Sequence, residues 1–543
     1  MTQQPKNTAT PDAPTSMHAL SHRPRLGLWN FYFIAKLVLF WRELIGFHPL
    51  ENLAFAAFLL TPISSRRARL WRRLIAIPIG IALLYYDSWL PPISRAFSQA
   101  SLLSNFSLSY LMELLGRFIS WPVIAMLVIA WALYRVTAQH IRLGVPVVAA
   151  LLWLAFSHSS TGPSSGATTA EAAPSSQAQN TASLDNVLSA FHAQESRRVV
   201  HLTQPEEGSA PFDVLFIHIC SLSWDDLQST GLEQHPLWQS FDFVLRNFNS
   251  AASYSGPAAV RVNRALCGQP SHAGLYSPAQ ESCYLMNNLK QAGFATNLVL
   301  NHDGHFDDFL ALVQEQNMRI PPLPVKGLPV PIHAFDDSPI YDDLAVLNRW
   351  MESRQKNDAP RVAAYYNTVT LHDGNHIVAA PNLSSQETYK QRLSKFLDEM
   401  NSFIQQIEHS NRRTVVVVIP EHGAAFHGDK MQISGLREIP SPAITLVPVG
   451  IKVFGGGAHR QGDAAQISEP TSYLAISHII AKMLEVSPYG TTGFSVADYT
   501  AELPQTEFVA ENEANILLRH NGKYYLNQNK EGWKEYAASP AAK

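Results

Sequence analysis

The sequence predicts an N-terminal multi-span α-helical membrane domain followed by a C-terminal α/β domain whose mainly parallel sheet is covered by helices on both faces. Three observations predict it. Apolar residues crowd into the first 160 positions in stretches of near-spanning length. Lys and Arg gather in alternate connections between those stretches. Beyond a polar tether, short continuous runs of β-forming residues alternate with segments of helical character. A length of 543 residues also calls for more than one core. The net charge of −3 offers no basic footprint for a nucleic acid.

Residues 1–26 are polar and lack the charged, apolar, small-residue order of a cleaved signal peptide, so they read as a cytoplasmic segment. Apolar stretches follow at 27–46, 48–65, 73–90, 110–134 and 142–158, giving a transmembrane domain (27–158) of about five helices. Arg23 and Arg25 precede the first stretch. Arg66, Arg67, Arg69, Arg72 and Arg73 separate the second from the third, and Arg135 and Arg142 lie between the last two. The other connections carry little positive charge, with Arg95 alone between 91 and 109. Positive residues of short loops stay in the cytoplasm, so five crossings place the N-terminus inside and everything after 158 outside. Lys36, Arg42, Glu43 and Arg117 fall in or near these stretches and read as snorkelling ends, ahead of a second reading in which they line a cavity facing the lipid-side substrate.

Residues 159–183 are Ser, Thr, Ala, Gly, Gln and Pro, the composition of a flexible linker. In the remaining domain, 184–543, strands are expected at Asp213–Ile219, Asn297–Leu300, Val362–Thr370, Thr414–Ile419 and Ala443–Val447, with helices at 385–409 and 470–486. In such sheets chemistry gathers at the carboxyl ends of strands. The tail after 500 gives little beyond Lys523–Asn527, which reads as an edge strand.

Three segments at strand ends or helix starts carry the reactive residues. Cys220 directly follows Asp213–Ile219, and the polar run Ser221–Asp226 after it favours a strand end at a cleft over a buried core thiol. Ser255, within Asn249-Ser-Ala-Ala-Ser-Tyr-Ser-Gly-Pro257, reads as a helix cap with Pro257 in the first turn. The same geometry exposes unpaired N–H groups that attract a phosphate, and a serine there becomes a nucleophile once its pKa is lowered. Glu421 and His422 leave the apolar strand 414–419 side by side, which favours metal ligation over a solvated turn. Sulfur, carboxylate and imidazole donors together suit Zn2+, with Ser255 or its phosphorylated form in the fourth position. Of three cysteines, Cys267 and Cys283 flank a polar loop of a length that a disulfide commonly closes; two free thiols also fit, and an extracytoplasmic location favours the bridge.

The order strand–ligand, nucleophile at a helix start, strand ending in acid-His-Gly resembles the alkaline phosphatase superfamily. With five apolar stretches and a tether ahead of it, the chain resembles the bacterial phosphoethanolamine transferases. Within these it is similar to the cellulose branch, the G component of bacterial cellulose synthesis systems. The segments that carry the likeness are FIHICSLSWDDL (216–227), FNSAASYSGPAAVR (248–261), RALCGQPSH (264–272), NHDGHFDDF (301–309), YYNTVTLHDGNH (365–376) and PEHGAAFHGDKMQISGLREIPSP (420–442). Cys220 stands where most relatives have a carboxylate ligand, Ser255 where the lipid A enzymes have threonine, and Glu421 where aspartate is usual. The resemblance implies an alkaline-phosphatase-like domain and metal ligands Cys220, Ser255, Glu421 and His422. It implies Ser255 as nucleophile, Tyr254, His372 and Arg437 at the substrate, and a Cys267–Cys283 disulfide. His302, His376, His427 and His459 are nearby polar residues without an assigned role.

The implied activity is Zn2+-dependent transfer of phosphoethanolamine from phosphatidylethanolamine to glucose 6-hydroxyls of cellulose through a phosphoethanolamine-serine intermediate. The implied location is the bacterial inner membrane, beside the cellulose synthase complex, with the catalytic domain in the periplasm. Other readings are a different glycan or lipid acceptor, a hydrolase using water, or a non-catalytic scaffold of a polysaccharide secretion complex. A sulfatase-like C/S-x-P-x-R context is absent around Ser255, which is followed by Gly256-Pro257 with Arg261 further on.

Overall fold

The computed structural model describes residues 26–42, 45–63, 65–88, 106–118, 121–140, 144–159, 176–429, 431–432, 434–490, 493–530 and 532–537. The chain divides into two compact units, one of residues 1–90 and 120–170, the other of 91–119 and 171–543.

The first unit contains helices α1 (Trp29–Trp41), α2 (Pro49–Leu60), α3 (Arg66–Tyr86), α5 (Trp121–His140) and α6 (Gly144–Ser159). Phe33, Leu37, Phe55, Leu59, Ala76 and Leu151 pack at its centre. Among the described residues no helix is long and apolar enough to cross a membrane. Thirteen residues in α1 and 12 in α2 rise only about 20 Å against a hydrocarbon core of roughly 30 Å. Helix α3 is longer, but five arginines occupy its first eight positions. Lys36 does not snorkel. It is 1% exposed, donates to Asn52 Oδ1 (2.8 Å) and pairs with Asp87, whose carboxylate also meets Asn52 Nδ2 (2.8 Å) and His48 Nδ1 (2.6 Å). A buried ammonium needs such partners, and this set joins α1 and α2 to the end of α3.

The expected stretch 110–134 is broken. Its first part is a separate helix, α4 (Leu108–Phe118), which belongs to the second unit. Arg117 on it is no snorkelling end: Nη1 and Nη2 donate to Asp373 at 2.6 and 2.8 Å. Of the expected linker, residues 160–175 lie outside the described residues, and helix α7 (Ser176–Glu195) already begins at 176.

The second unit is built on seven strands, here β1 (Asp213–Ile219), β2 (Phe243–Asn249), β3 (Ala295–Leu300), β4 (Val362–Thr368), β5 (Thr414–Pro420), β6 (Leu446–Phe454) and β7 (Ala465–Ile467). Their order is β7-β2-β6-β5-β1-β4-β3. The sheet is mixed: β6 runs antiparallel to both β2 and β5, while the other neighbours are parallel. The strand expected at 443–447 starts later because Pro442–Thr445 forms a helical turn. Strand β2, with Arg246 and Asn247 inside it, lacks the continuous apolar pattern and escapes sequence reading. Alternate residues enter two cores: Val214, Phe216, Val415 and Val417 on one face, Leu215, Ile217, Val416 and Val418 on the other. Helices at Ser385–His409 and Tyr473–Glu485 supply cover to the two faces. Strand Lys523–Gln528 lies between neighbours in a four-stranded antiparallel sheet, not at its edge.

Candidate metal centre and substrate pocket

Parallel pairing of β1 with β5 sets Ile219 opposite Pro420, so the next residue on each strand, Cys220 and Glu421, leaves the sheet at the same level. Glu421 N donates to Ile219 O (2.8 Å), Cys220 N to Thr368 O (3.0 Å) and Leu222 N to His422 O (2.7 Å), which continues the ladder past the strand ends. Ser221 (φ 64°) and Ala425 (φ 55°) take left-handed conformations as the two chains turn away. One buried carboxylate ties the turns together: Asp226 Oδ2 accepts from Ser223 N and Oγ (both 2.9 Å) and from Ala424 N (2.8 Å).

Strand β2 delivers the third segment. After it, Ala251 adopts φ 57°, and a nine-residue helix, Ser255–Asn263, begins. Tyr254, extended at φ −139°, is the cap, so Ser255 is the first helical residue rather than the cap.

Donor atoms of Cys220, Glu421 and His422 lie within 4.8 Å of one another. All three side chains are fully buried. Ser255 Oγ is 3.3 Å from Cys220 Sγ and 3.4 Å from His422 Nε2. His422 Nδ1 donates to the Gly423 carbonyl (2.9 Å), and burial holds the imidazole pKa well below its ordinary value, so Nε2 faces the cluster with its lone pair. Glu421 Oε1 accepts from Asn367 Nδ2 (2.6 Å), while Oε2 is buried with no hydrogen-bond partner among the described residues. Burial, with the Glu421 carboxylate beside it, pushes the Cys220 thiol up to about 12; burial lifts the Glu421 carboxyl to about 7. Two buried acids that resist ionising, an orphaned carboxylate oxygen and a directed imidazole nitrogen fit a bound cation, which supplies the charge they lack. The S, O and N donor set suits zinc.

Ser255 opens onto a cavity of about 500 Å3 whose lining includes Tyr254, His372, Arg437, His302 and Glu438. Tyr254 Oη donates to Glu438 Oε1 (2.8 Å), and the Arg437 guanidinium sits 5.7 Å from the Tyr254 ring centre. Arg437 Nη1 also donates to Ser221 Oγ (3.2 Å). His372 Nδ1 donates to the Asp373 carbonyl (2.6 Å); burial and then Arg437 bring its pKa down to about 4, which keeps the ring neutral. Of the other histidines, His302 lines the cavity and meets Asn367 Oδ1 at 2.9 Å, whereas His427 and His459 are exposed and His376 is outside the lining.

Sequence reasoning missed Asn367 and His218. Asn367 ties Glu421 to His302, and His218, two residues before Cys220, stands 3.3 Å from Glu421. A polar residue inside an otherwise apolar strand is the available signal.

The profile of the cellulose biosynthesis protein BcsG C-terminal domain matches residues 168–533, and that of the BcsG N-terminal domain matches 29–156. The chain belongs to the BcsG family. The BcsG of Escherichia coli K12 is 41% identical, over 99% of this chain and all of that protein. The BcsG of Salmonella typhimurium LT2 is also 41% identical, over 98% and 99%. Among solved structures, the integral membrane protein lipooligosaccharide phosphoethanolamine transferase A of Neisseria meningitidis matches at 13% identity and TM-score 0.44, covering 88% of this chain and 98% of that one. Likeness that remote bears no weight on the chemistry. The BcsG matches cover both units, so the Cys220–Glu421–His422 cluster and the N-terminal helices belong to one family architecture. Cys267 and Cys283 are joined in a disulfide across the loop that brings His272 and Tyr276 to the cavity.

Proposed function

We propose that this BcsG-family protein transfers phosphoethanolamine from phosphatidylethanolamine to glucose 6-hydroxyls of cellulose through a covalent phosphoethanolamine–Ser255 intermediate, with zinc as cofactor. It works in the bacterial inner membrane beside the cellulose synthase complex. Residues 27–158 form the membrane domain, with α5 in place of the 110–134 span, and residues 184–543 face the periplasm. The observation that carries the chemistry is the meeting of Ser255 Oγ with the Cys220, Glu421 and His422 cluster where Ser255 lines the cavity. The family supports cellulose biosynthesis as the setting.

Cys220 Sγ, Glu421 Oε2 and His422 Nε2 would hold the ion, next to Ser255. When bound, zinc supplies positive charge that favours the serine alkoxide and screens the phosphoryl oxygens. Ser255 Oγ bonds to phosphorus in line, the bond from phosphorus to the diacylglycerol oxygen breaks, and the serine proton ends on that oxygen. The amides at the start of helix Ser255–Asn263 and the Arg437 fork receive the phosphoryl oxygens. Neutral His372, its Nδ1 proton fixed on the Asp373 carbonyl, presents Nε2 to take the proton of the incoming sugar hydroxyl. The acceptor oxygen then bonds to phosphorus, the Ser255–phosphorus bond breaks, and the proton returns to Ser255.

The test is intact-mass measurement of the full chain after incubation with a phosphatidylethanolamine analogue. A gain of one phosphoethanolamine is expected, absent in Ser255→Ala. An unmodified wild-type chain with zinc bound would overturn the covalent route.

A further inference from the structure

Helix α4 carries an apolar stripe on the side turned away from its domain. The side turned to the protein combines apolar packing, Tyr110 and Leu114 against Ile332, Phe335 and Ile340, with polar ties. Arg117 grips Asp373 by two bonds, Tyr110 Oη donates to Asp373 Oδ2 (3.3 Å), and Glu113 Oε2 accepts from Ser385 N (3.3 Å). Just ahead of it, Ser107 N donates to Phe335 O (2.8 Å), and Phe106 meets the Phe335 ring edge-on at 5.2 Å. The outward side is apolar: Leu108 is 76% exposed, Met112 61% and Leu115 57%, at the i, i+4, i+7 spacing that lines one stripe. Such a stripe facing water is costly.

The covalent chain says what lies against the stripe. Phe118 ends α4 and Trp121 starts α5. Three residue steps reach at most about 11 Å, so if α5 enters the bilayer, the end of α4 lies within that distance of its surface. The basic clusters place the 91–109 connection on the same side as the catalytic domain.

We infer that α4 is an interfacial helix: its Leu108–Met112–Leu115 stripe beds into the periplasmic leaflet while its opposite face holds the catalytic unit. Phe106 and Tyr110 at this docked face are themselves part of the cavity wall. The mouth of the pocket therefore sits at headgroup level, and a donor lipid presents its phosphate to Ser255 with its acyl chains still in the membrane. The inference rests on the membrane reading of α5 given above.

Depth-dependent quenching tests it on the full chain in vesicles of phosphatidylethanolamine and phosphatidylglycerol. A fluorophore is attached to Met112→Cys, to Leu127→Cys on α5, or to Lys482→Cys on the catalytic unit; Cys220 is buried and does not compete. Spin-labelled lipid is expected to quench positions 112 and 127 and to spare 482. Quenching at 127 without 112 overturns this inference alone, and quenching at neither overturns it together with the membrane reading. In a second arm, the combined Leu108→Ser, Met112→Ser, Leu115→Ser chain should lose about tenfold or more of its transfer from bilayer phosphatidylethanolamine yet keep transfer from a water-soluble short-chain donor within about twofold. Equal loss with both donors, or no loss with either, also overturns it.

Discussion

Replacing Cys267 and Cys283 together by serine removes a cross-link that closes a loop of sequence separation 16. In the chain-entropy treatment, freeing a loop of that size stabilises the unfolded chain by about 3 kcal/mol. The folded loop keeps its other ties: Gly268 N to Arg198 O (2.9 Å), Gln269 N to Glu195 Oε2 (2.9 Å) and the bridge between Val199 and Cys267. The loss therefore falls on the unfolded side of the equilibrium, and the folded pocket keeps its shape. For a domain of roughly 360 residues the unfolding entropy is about 0.75 kcal/mol per degree, so the expected drop in Tm is ~4 °C. Thermal unfolding of the full chain in detergent, followed by tryptophan fluorescence, reads it. Below the transition, the extent of Ser255 labelling should match wild type. A shift under about 1 °C would refute the reasoning, because the loop would then be equally restricted in the unfolded chain without its bridge.

Other outcomes follow from the site. Glu421→Gln and Cys220→Ala should each lower zinc content, read by metal analysis of the purified chain, since each removes an anionic donor from a three-residue cluster. Asn367→Leu strips the 2.6 Å donor from Glu421 Oε1 and should weaken zinc binding by roughly 10–100-fold, measured by chelator competition. In Gly423→Ala the new Cβ would lie 2.6 Å from Ser223 Oγ and 3.0 Å from the Ala443 carbonyl; a cost of about 1–3 kcal/mol should appear as a lower Tm. Burial alone would raise the Asp373 carboxyl, but Arg117 overrides it and holds the pKa at about 2. A folded pKa below the unfolded one stabilises above roughly pH 4 and is lost as pH falls toward 2, so Arg117→Met should cost about 2 kcal/mol at neutral pH and progressively less in acid. Hydrogen exchange of residues 108–118 as a function of pH checks both size and sign.

The sequence made the centre of the sheet legible because β1, β4 and β5 are buried on both faces and so are written in mostly apolar letters. It also showed that Cys220 and the 421–422 turn leave strand ends, where parallel neighbours bring distant segments level. Strand β2 stayed hidden because Arg246 is exposed and breaks the run. Helix α4 was lost inside the 110–134 stretch, since an amphipathic helix and a following apolar one merge when apolar residues are counted along the chain without regard to which side of a helix they occupy. The pairing of Lys36 with Asp87 spans about fifty residues and leaves no periodic trace, so a lysine in an apolar segment read as a snorkelling end. Asn367 left a fainter trace, a polar letter in an apolar strand, whose meaning lies in what it touches across the sheet.

Asp226 has a consequence for how the domain can move. By clasping the backbone beyond Cys220 and the backbone beyond His422 with the same oxygen, it welds two stretches of chain, separated by some two hundred residues, into a single rigid jaw. Any adjustment of the cavity therefore falls to the opposing wall, where residues 302–309, 333–338 and the helix carrying Tyr110 meet through the rings of Phe106, Phe306 and Phe335 and through the His305–Asp336 pair.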